Sequence, residues 1–290
     1  MSNFNRKITY IDQAEPIGLA HTVAICQDFL RDEPFAMYIG DNMLKQGAKP
    51  LIDVFERNEN DCVIRVAKVK DPSMYGVVVF DESGQIKRLV EKPKPPVSDW
   101  ALIGVYVFNR KIFEVIKKIK PSWRGELEIT DAIQVLLNSG AKVCFQFVQG
   151  WWKDTGRPED LLEANQLVLQ ELQPFNEGIV EDGATVTGSA GIGKATVVHG
   201  RTTIRGPVIL GEHCEIGPNV YIGPYTSIGN DVTIRNSEVE NSIIMDGAYI
   251  ECGKRIIDSL IGMKAKIVSS QDNVPKGTRL ILGDMTYISI

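Results

Sequence analysis

An α/β domain followed by a left-handed parallel β-helix is the architecture this sequence predicts, and three observations predict it. Short β-branched or apolar runs alternate with amphipathic stretches as far as Leu172, the pattern of strands and crossover helices in a largely parallel sheet. From Val180 onward an aliphatic residue recurs at every sixth position, a period that belongs to stacked triangular coils. Between the two lies Gln173-Pro174-Phe175-Asn176-Glu177-Gly178, polar and proline-bearing. The expected boundaries are therefore an α/β domain over 1–172, a linker over 173–178 and a β-helix over 179–290.

In chain order, Lys7–Ile11 alternates and is β-branched, so it reads as a strand; Asp12–Gly18 is a loop punctuated by Pro16 and Gly18. Leu19, Val23, Cys26 and Leu30 share one helical face, which predicts a helix from Leu19 to about Leu30. Phe35-Ala36-Met37-Tyr38-Ile39, bounded by Pro34 and Gly40, reads as a strand buried on both faces of a parallel sheet. Helices are expected at Leu51–Arg57, Lys111–Ile119, Ile129–Asn138 (closed by Gly140) and Pro158–Leu172, the last with proline in its first turn. Strands are expected at Cys62–Val69, Tyr75–Phe80, Ile86–Val90, Ala101–Phe108 and Val143–Val148.

The sixfold spacing runs unbroken through Val180, Val186, Ile192, Val198, Ile204, Leu210, Ile216, Ile222, Ile228 and Ile234. Four residues after each, through Ile228, stands a compact side chain, from Ala184 through Cys214 to Val232. The aliphatic should point into a narrow core, with the compact residue near a corner. The later hexads slip in register, at Ile244, Ile250, Ile256, Ile261 and Ile267. A prism with uncovered sides predicts a homo-oligomer, as a trimer or tetramer.

Thirty-two basic residues stand against 37 acidic ones, net −5, without a long basic run; nucleic acid and anionic membranes are not expected partners. Five scattered cysteines without a Cys-x-x-Cys pair fit reduced thiols, and no apolar run could span a bilayer. A cytoplasmic location is the expectation.

Gly40-Asp41-Asn42 ends the Phe35 strand, and ligands of open α/β sheets collect at such ends. A short carboxylate there suits a magnesium ion that holds phosphates. Asp154, in Asp154-Thr155-Gly156, follows the last strand and could be the second carboxylate; an aspartic protease would need two such triads on a β framework. Glu91-Lys92-Pro93 also ends a strand, with a lysine for a phosphate and a glutamate for sugar hydroxyls. Gly188–Lys194 imitates a phosphate loop, but Ala195 lacks the hydroxyl and Ile192 is in phase with the hexads. His199 and His213 sit in the β-helix without an inserted loop to build a pocket, so they read as structural.

Taken in order, Gln13…Pro16-Ile17-Gly18-Leu19-Ala20, Tyr38–Asn42, Asp71–Val78, Glu91-Lys92-Pro93, Arg124–Asp131 and Trp152–Gly156 resemble the sugar nucleotidyltransferases. They are most similar to the long-form glucose-1-phosphate thymidylyltransferase branch, which carries a C-terminal β-helix. The resemblance implies a Rossmann-like nucleotidyltransferase domain that joins dTTP or UTP to a sugar-1-phosphate, giving a nucleotide sugar and pyrophosphate. Gln13 and the Gly18 backbone would then read the pyrimidine, and Asp41 and Asp154 would hold magnesium. Tyr75, Gly76, Glu91, Lys92 and the Leu102 backbone would hold the sugar phosphate.

The family opens with a strand and a Gly-x-Gly-Thr-Arg loop that cradles the triphosphate. That pattern does not precede Ile8, so the α/β domain is expected to be incomplete at its N-terminus and turnover impaired. A non-catalytic subunit that binds nucleotide sugars or assembles with a paralogue is the alternative expectation; a β-helix acyltransferase is a third. Assayed as these 290 residues, the chain should release pyrophosphate from dTTP and a sugar-1-phosphate very slowly, since removing even one preorganised donor of that kind costs about 100- to 1000-fold. Adding a Gly-x-Gly-Thr-Arg segment in frame should restore the rate, and normal turnover without it would refute the expectation.

Overall fold

A computed structural model describes residues 7–269, which form two compact units divided between Thr155 and Gly156. The first unit is a mixed sheet with helices on both faces. Its strands are β1 (Phe35–Tyr38), β2 (Asn42–Leu44), β3 (Cys62–Lys68), β4 (Gly76–Phe80), β5 (Ile86–Glu91), β6 (Trp100–Phe108), β7 (Val143–Phe147) and β8 (Trp152–Asp154). Its helices are α1 (Leu19–Ile25), α2 (Gln27–Leu30), α3 (Lys49–Arg57), α4 (Lys111–Ile116) and α5 (Ile129–Asn138).

The strands order as β5-β4-β6-β3-β7, with β1 also on β6, and β2 and β8 form a separate antiparallel pair. Helices α1, α4 and α5 bury Ala20, Val23, Ile112, Phe113, Ile129, Ile133 and Leu136 against one face of the sheet. Helix α3 buries Leu51 and Phe55 against Val63, Val105 and Val107 on the other. Ile64 and Val66 from β3 thus meet one helical layer, and Val63 the other, which is the period-two alternation of a strand covered on both sides.

Four expectations need correction. The sheet is mostly antiparallel: within it only β3 and β7 pair in parallel, because β6 runs against β1, β3 and β4. Strand β1 is not buried on both faces. It pairs with β6 alone, and Phe35 and Met37 turn inward while Ala36 and Tyr38 face solvent. Lys7–Ile11 forms no strand, and Ile8 and Tyr10 are exposed; a strand needs a neighbour to hydrogen-bond, and no ladder among the described residues includes this segment. The helix expected over 19–30 is broken at Cys26, whose N–H turns back to the Val23 carbonyl.

The second unit is a parallel β-solenoid preceded by α6 (Pro158–Leu169). Three ladders of short strands stack with a coil repeat of 18 residues at first, as in Ile192↔Leu210↔Ile228 and Ile204↔Ile222. The later slip in spacing is a shortening of the coil: Ile222 pairs with Val239, 17 residues on, and Ile234 with Ile250, 16 on. The hexad aliphatics from Ile192 to Ile234 are buried, as are Thr196, Thr202, Val208, Cys214 and Thr226 among the compact residues. Val180 and Val186, in the first coil, are less covered. The compact position also satisfies backbone: Thr196 Oγ1 donates to the Gly211 carbonyl (2.6 Å) and accepts from Cys214 N–H (2.9 Å).

Helix α6 belongs to this unit by its contacts. Asn165 donates to the Tyr225 carbonyl and accepts from Ser227 Oγ, and Gln166 donates to Asn241. The compact units therefore divide before α6, whereas composition placed the border after Leu172. All five cysteines are free, with Cys62, Cys214 and Cys252 buried. No helix among the described residues is long and apolar enough to cross a membrane.

His199 lies between Glu215 (Nε2 to Oε2, 2.6 Å) and Glu181 (Nδ1 to Oε1, 3.2 Å), one from the next coil and one from the last. The Glu215 hydrogen bond, aided by Glu181, raises the imidazole above its ordinary value. A raised value in the folded state means that protonation stabilises the fold. That stabilisation is complete below the ordinary imidazole range and is lost as pH rises through the raised value. His199→Asn should accordingly lower the melting temperature most near pH 6, with the gap from the parent closing as pH rises toward 9. A gap independent of pH would show that this contact carries no charge.

Candidate active site

The site forms where the sheet forks. Along one edge of β6, Ala101 pairs with Val77 of β4, and Val105–Phe108 pair with β1. Leu102, Ile103 and Gly104 lie between those partners, so this edge of β6 has no strand beside it at this point, while Leu102 and Ile103 stay in register with Val66 and Arg65 of β3 on the other edge. Gly104 keeps two bonds: its carbonyl accepts from Ile39 N–H (2.8 Å), and its N–H donates to Asn42 Oδ1 (3.2 Å).

Asn42 is the pivot. It is buried, its Oδ1 also accepts from Trp152 Nε1 (2.7 Å), and its Nδ2 donates to Asp41 Oδ1 (2.8 Å). A Cβ on Gly104 would lie 2.6 Å from Asn42 Nδ2, so glycine is required for this approach. Strand β2 then pairs with β8 in the register Asn42↔Asp154, Met43↔Lys153, Leu44↔Trp152. Thr155 closes the pair by donating both its N–H and its Oγ1 to the Asp41 carbonyl, each at 2.8 Å. Asp41 and Asp154 are thereby brought to one end of this antiparallel pair, hairpin-like in its pairing although β3–β7 separate its two strands in sequence. Two carboxylates there have the donor chemistry an oxygen-preferring divalent ion requires, although no cluster of three or more His, Cys, Asp or Glu side chains suited to a metal exists among the described residues.

On the other side of the fork, Gly76 faces Glu91 across the β4–β5 ladder. A Cβ on Gly76 would lie 2.7 Å from Thr130 Oγ1 and 2.9 Å from Glu91 Oε2, so its absence opens the space above the carboxylate. Thr130 donates to Glu91 (2.5 Å), and Arg124 lies 3.7 Å from Glu91, 2.6 Å from Glu126 and 3.4 Å from Glu128. Burial, reinforced by Glu128, raises the Glu91 carboxyl; the Thr130 hydroxyl, Lys92 and Arg124 oppose the rise. One guanidinium thus serves three carboxylates, leaving a pocket rich in hydrogen-bond acceptors. Lys92 is half-buried with positive φ, and its N–H donates to the Tyr75 carbonyl (3.1 Å). The Tyr75 ring meets Trp152 edge-on, centroids 5.7 Å apart. The hairpin and the Glu91 pocket therefore meet through these two rings. The Leu102 side chain is buried in the core, leaving only its backbone at the fork.

Gln13 donates to the Gly18 carbonyl (3.4 Å), accepts from Thr22 Oγ1 (3.3 Å), and contacts His21 Nδ1 (3.0 Å). Gly18 has φ 109°, and a Cβ there would lie 2.4 Å from the Leu127 carbonyl. Leu127 donates to Ile17 and accepts from Ala20. The segment Arg124–Glu128 therefore touches the Gln13–Gly18 loop by its backbone and Glu91 by its side chains.

Asp41 and Asp154 share one end of the hairpin, and Tyr75, Gly76, Glu91 and Lys92 gather at the other side of the fork. Gln13 and Gly18 form a third cluster, joined to the second by Leu127. Asn42, Arg124 and Thr130 lie inside the motifs Tyr38–Asn42 and Arg124–Asp131, and that membership is the signal the sequence offers for them. Gly104 carried none. Gly188–Lys194 lies within the solenoid, with Ala190, Gly191 and Ile192 buried in a ladder strand. His213 is exposed, 3.8 Å from Asp231.

Residues 1–171 match the family described as Nucleotidyl transferase, and 204–283 match the GMPPB C-terminal domain. The chain is 42% identical over 289 residues to the low-salt glycan biosynthesis nucleotidyltransferase Agl11 of Haloferax volcanii, covering all of this chain and 81% of that protein. With the same coverage, it is 40% identical to glucose-1-phosphate thymidylyltransferase of Streptomyces griseus and 42% to that of Streptomyces antibioticus. Among solved structures, one from Bacillus anthracis, titled as a glucose-1-phosphate thymidylyltransferase in complex with a sucrose, aligns with TM-score 0.50 and 34% identity. That alignment covers 55% of this chain and 64% of the other.

Replacing Asn42 by Ala would orphan the Gly104 N–H and the Trp152 indole N–H. The expected loss is about 1–3 kcal/mol of stability, with a change in Trp152 fluorescence. Unchanged melting and fluorescence would mean that the fork does not depend on this side chain.

Proposed function

The chain belongs to the nucleotidyl transferase family, and we propose that it joins a pyrimidine nucleoside triphosphate, dTTP or UTP, to a sugar-1-phosphate. The observation that carries this reading is the meeting of the Asp41/Asp154 hairpin with the Gly76–Glu91 pocket across the fork. A phosphate oxygen of the sugar-1-phosphate attacks the α-phosphorus, the bond from that phosphorus to the bridging oxygen breaks, and pyrophosphate leaves with the electron pair. The nucleophile is already anionic, so no side chain has to remove a proton. What the protein supplies is alignment and charge.

In this reading Glu91 accepts hydroxyls of the sugar, the space left by Gly76 admits the ring, and Lys92 faces its phosphate. Tyr75 walls the pocket, and the Leu102 backbone, on the edge of β6 between β4 and β1, offers hydrogen bonds to the same ligand. Gln13 and the Gly18 backbone read the pyrimidine edge. Asp41 and Asp154 would hold a magnesium ion, which when bound would neutralise and orient phosphate oxygens. Exposed Ile179, Ile257, Met263 and Val268 on the solenoid support self-association as a trimer or tetramer.

Calorimetry with the product, a dTDP-sugar, tests binding separately from turnover. Asp41→Asn and Asp154→Asn should each abolish the magnesium dependence of binding, and the double variant should add little, because groups acting as a unit are non-additive. Magnesium dependence surviving in both single variants would refute the assignment.

A further inference from the structure

Arg65 is the largest fully buried side chain of the described residues, with 1% of its surface exposed, at the middle of β3. No carboxylate among the described residues pairs with it. Nη1 donates to the Gly47 carbonyl (2.9 Å), Nη2 donates to Gln146 Oε1 (3.2 Å), and Nε is buried without a hydrogen-bond partner among the described residues. A guanidinium held in this way gives up hydration without a counter-charge, and an apolar side chain of similar volume would be expected to be as stable or more so.

Its two partners explain the arrangement. Gly47 lies just beyond β2, and its N–H turns back onto the Leu44 carbonyl. Gln146 lies on β7, which leads through 148–151 into β8. One planar fork therefore ties the exit of β2 to the approach of β8, at the end of the hairpin opposite Asp41 and Asp154. Between the tie and the carboxylates, the Lys45 N–H donates to the Trp151 carbonyl (3.1 Å), followed by the β2–β8 register.

We infer that Arg65 is a positioning residue that holds the two legs of the hairpin in register and so sets the relative placement of the Asp41 and Asp154 carboxylates. This rests on the reading of those carboxylates as the magnesium site. Bidentate geometry is essential to the role, since a lysine presents a point charge and cannot span both acceptors in a fixed plane.

The test compares Arg65→Met, Arg65→Lys and Gln146→Leu with the parent, by thermal melting and by calorimetric titration of a dTDP-sugar across magnesium concentrations. Arg65→Met should melt at or above the parent temperature yet need at least about tenfold more magnesium for half-maximal binding, with magnesium-free affinity within about twofold. Arg65→Lys should recover only part of that shift, and Gln146→Leu, which cuts one leg, should fall between. Folded Arg65→Met with unchanged magnesium dependence overturns the inference, and so does an equal loss of both affinities. If Arg65→Met does not fold, Gln146→Leu decides: a magnesium shift supports the tie and none overturns it. Asp154→Asn separates the two levels. Retained magnesium dependence there overturns the site and the inference with it; dependence lost there but kept in Arg65→Met overturns the inference alone.

Discussion

The side chain of Asn42 is the contact on which the first unit's chemistry rests. It sits where β6 exchanges one neighbour for another, and its three hydrogen bonds reach Gly104 on the sheet, Trp152 on the hairpin and Asp41. Each bond replaces a ladder bond or fixes a group that the fork would otherwise leave unsatisfied. By locking β2 against both the sheet and β8, the amide helps to bring Asp41 and Asp154 to the same end of the strand pair. Gly104 makes room for the amide, and Trp152 passes the placement on to Tyr75 and thence to Gly76 and Glu91.

Charge is distributed unevenly around that frame. The Glu91 side is overfull of carboxylate, with Arg124 shared among Glu91, Glu126 and Glu128. Burial, with Glu128 beside it, raises Glu91, and the surplus of carboxylate favours neutral hydroxyls over further anions. The hairpin side has the opposite arrangement: a buried guanidinium below and two carboxylates above.

Much of this was legible in the sequence, but unevenly. The solenoid was readable because each inward residue is dictated by a six-residue geometry, and inward aliphatics persist at Val239, Ile244 and Ile250 even where the spacing slips as a coil shortens from 18 residues to 17 or 16. Helices α3, α5 and α6 and strands β3–β7 stood close to their expected bounds, since their apolar periods match the faces they bury. The direction of β6 was not readable. An all-apolar strand covered by helices on both sides looks the same whether its neighbours run parallel or antiparallel, and the mostly antiparallel pairing follows from β6 entering between β1 and β3. The carboxylates, Glu91 and Gln13 stood out because short polar residues at strand ends and glycine turns are conspicuous. Arg65 did not, because a single arginine in an apolar strand gives no hint that it points inward.

Helix α6 has a consequence for the order in which the second unit assembles. Successive coils touch only their neighbours, so each forms from residues about 18 apart in the chain, and the stack can grow by nearest-neighbour steps from any coil. The helix cannot join at the start. Asn165 needs Tyr225 and Ser227, and Gln166 needs Asn241 from the following coil, separations of 60 to 75 residues. Closing loops of that length is entropically unfavourable until the coils that present those partners are already stacked. The N-terminal segment of the unit is therefore made first and docked last, as a clasp laid across a finished stack.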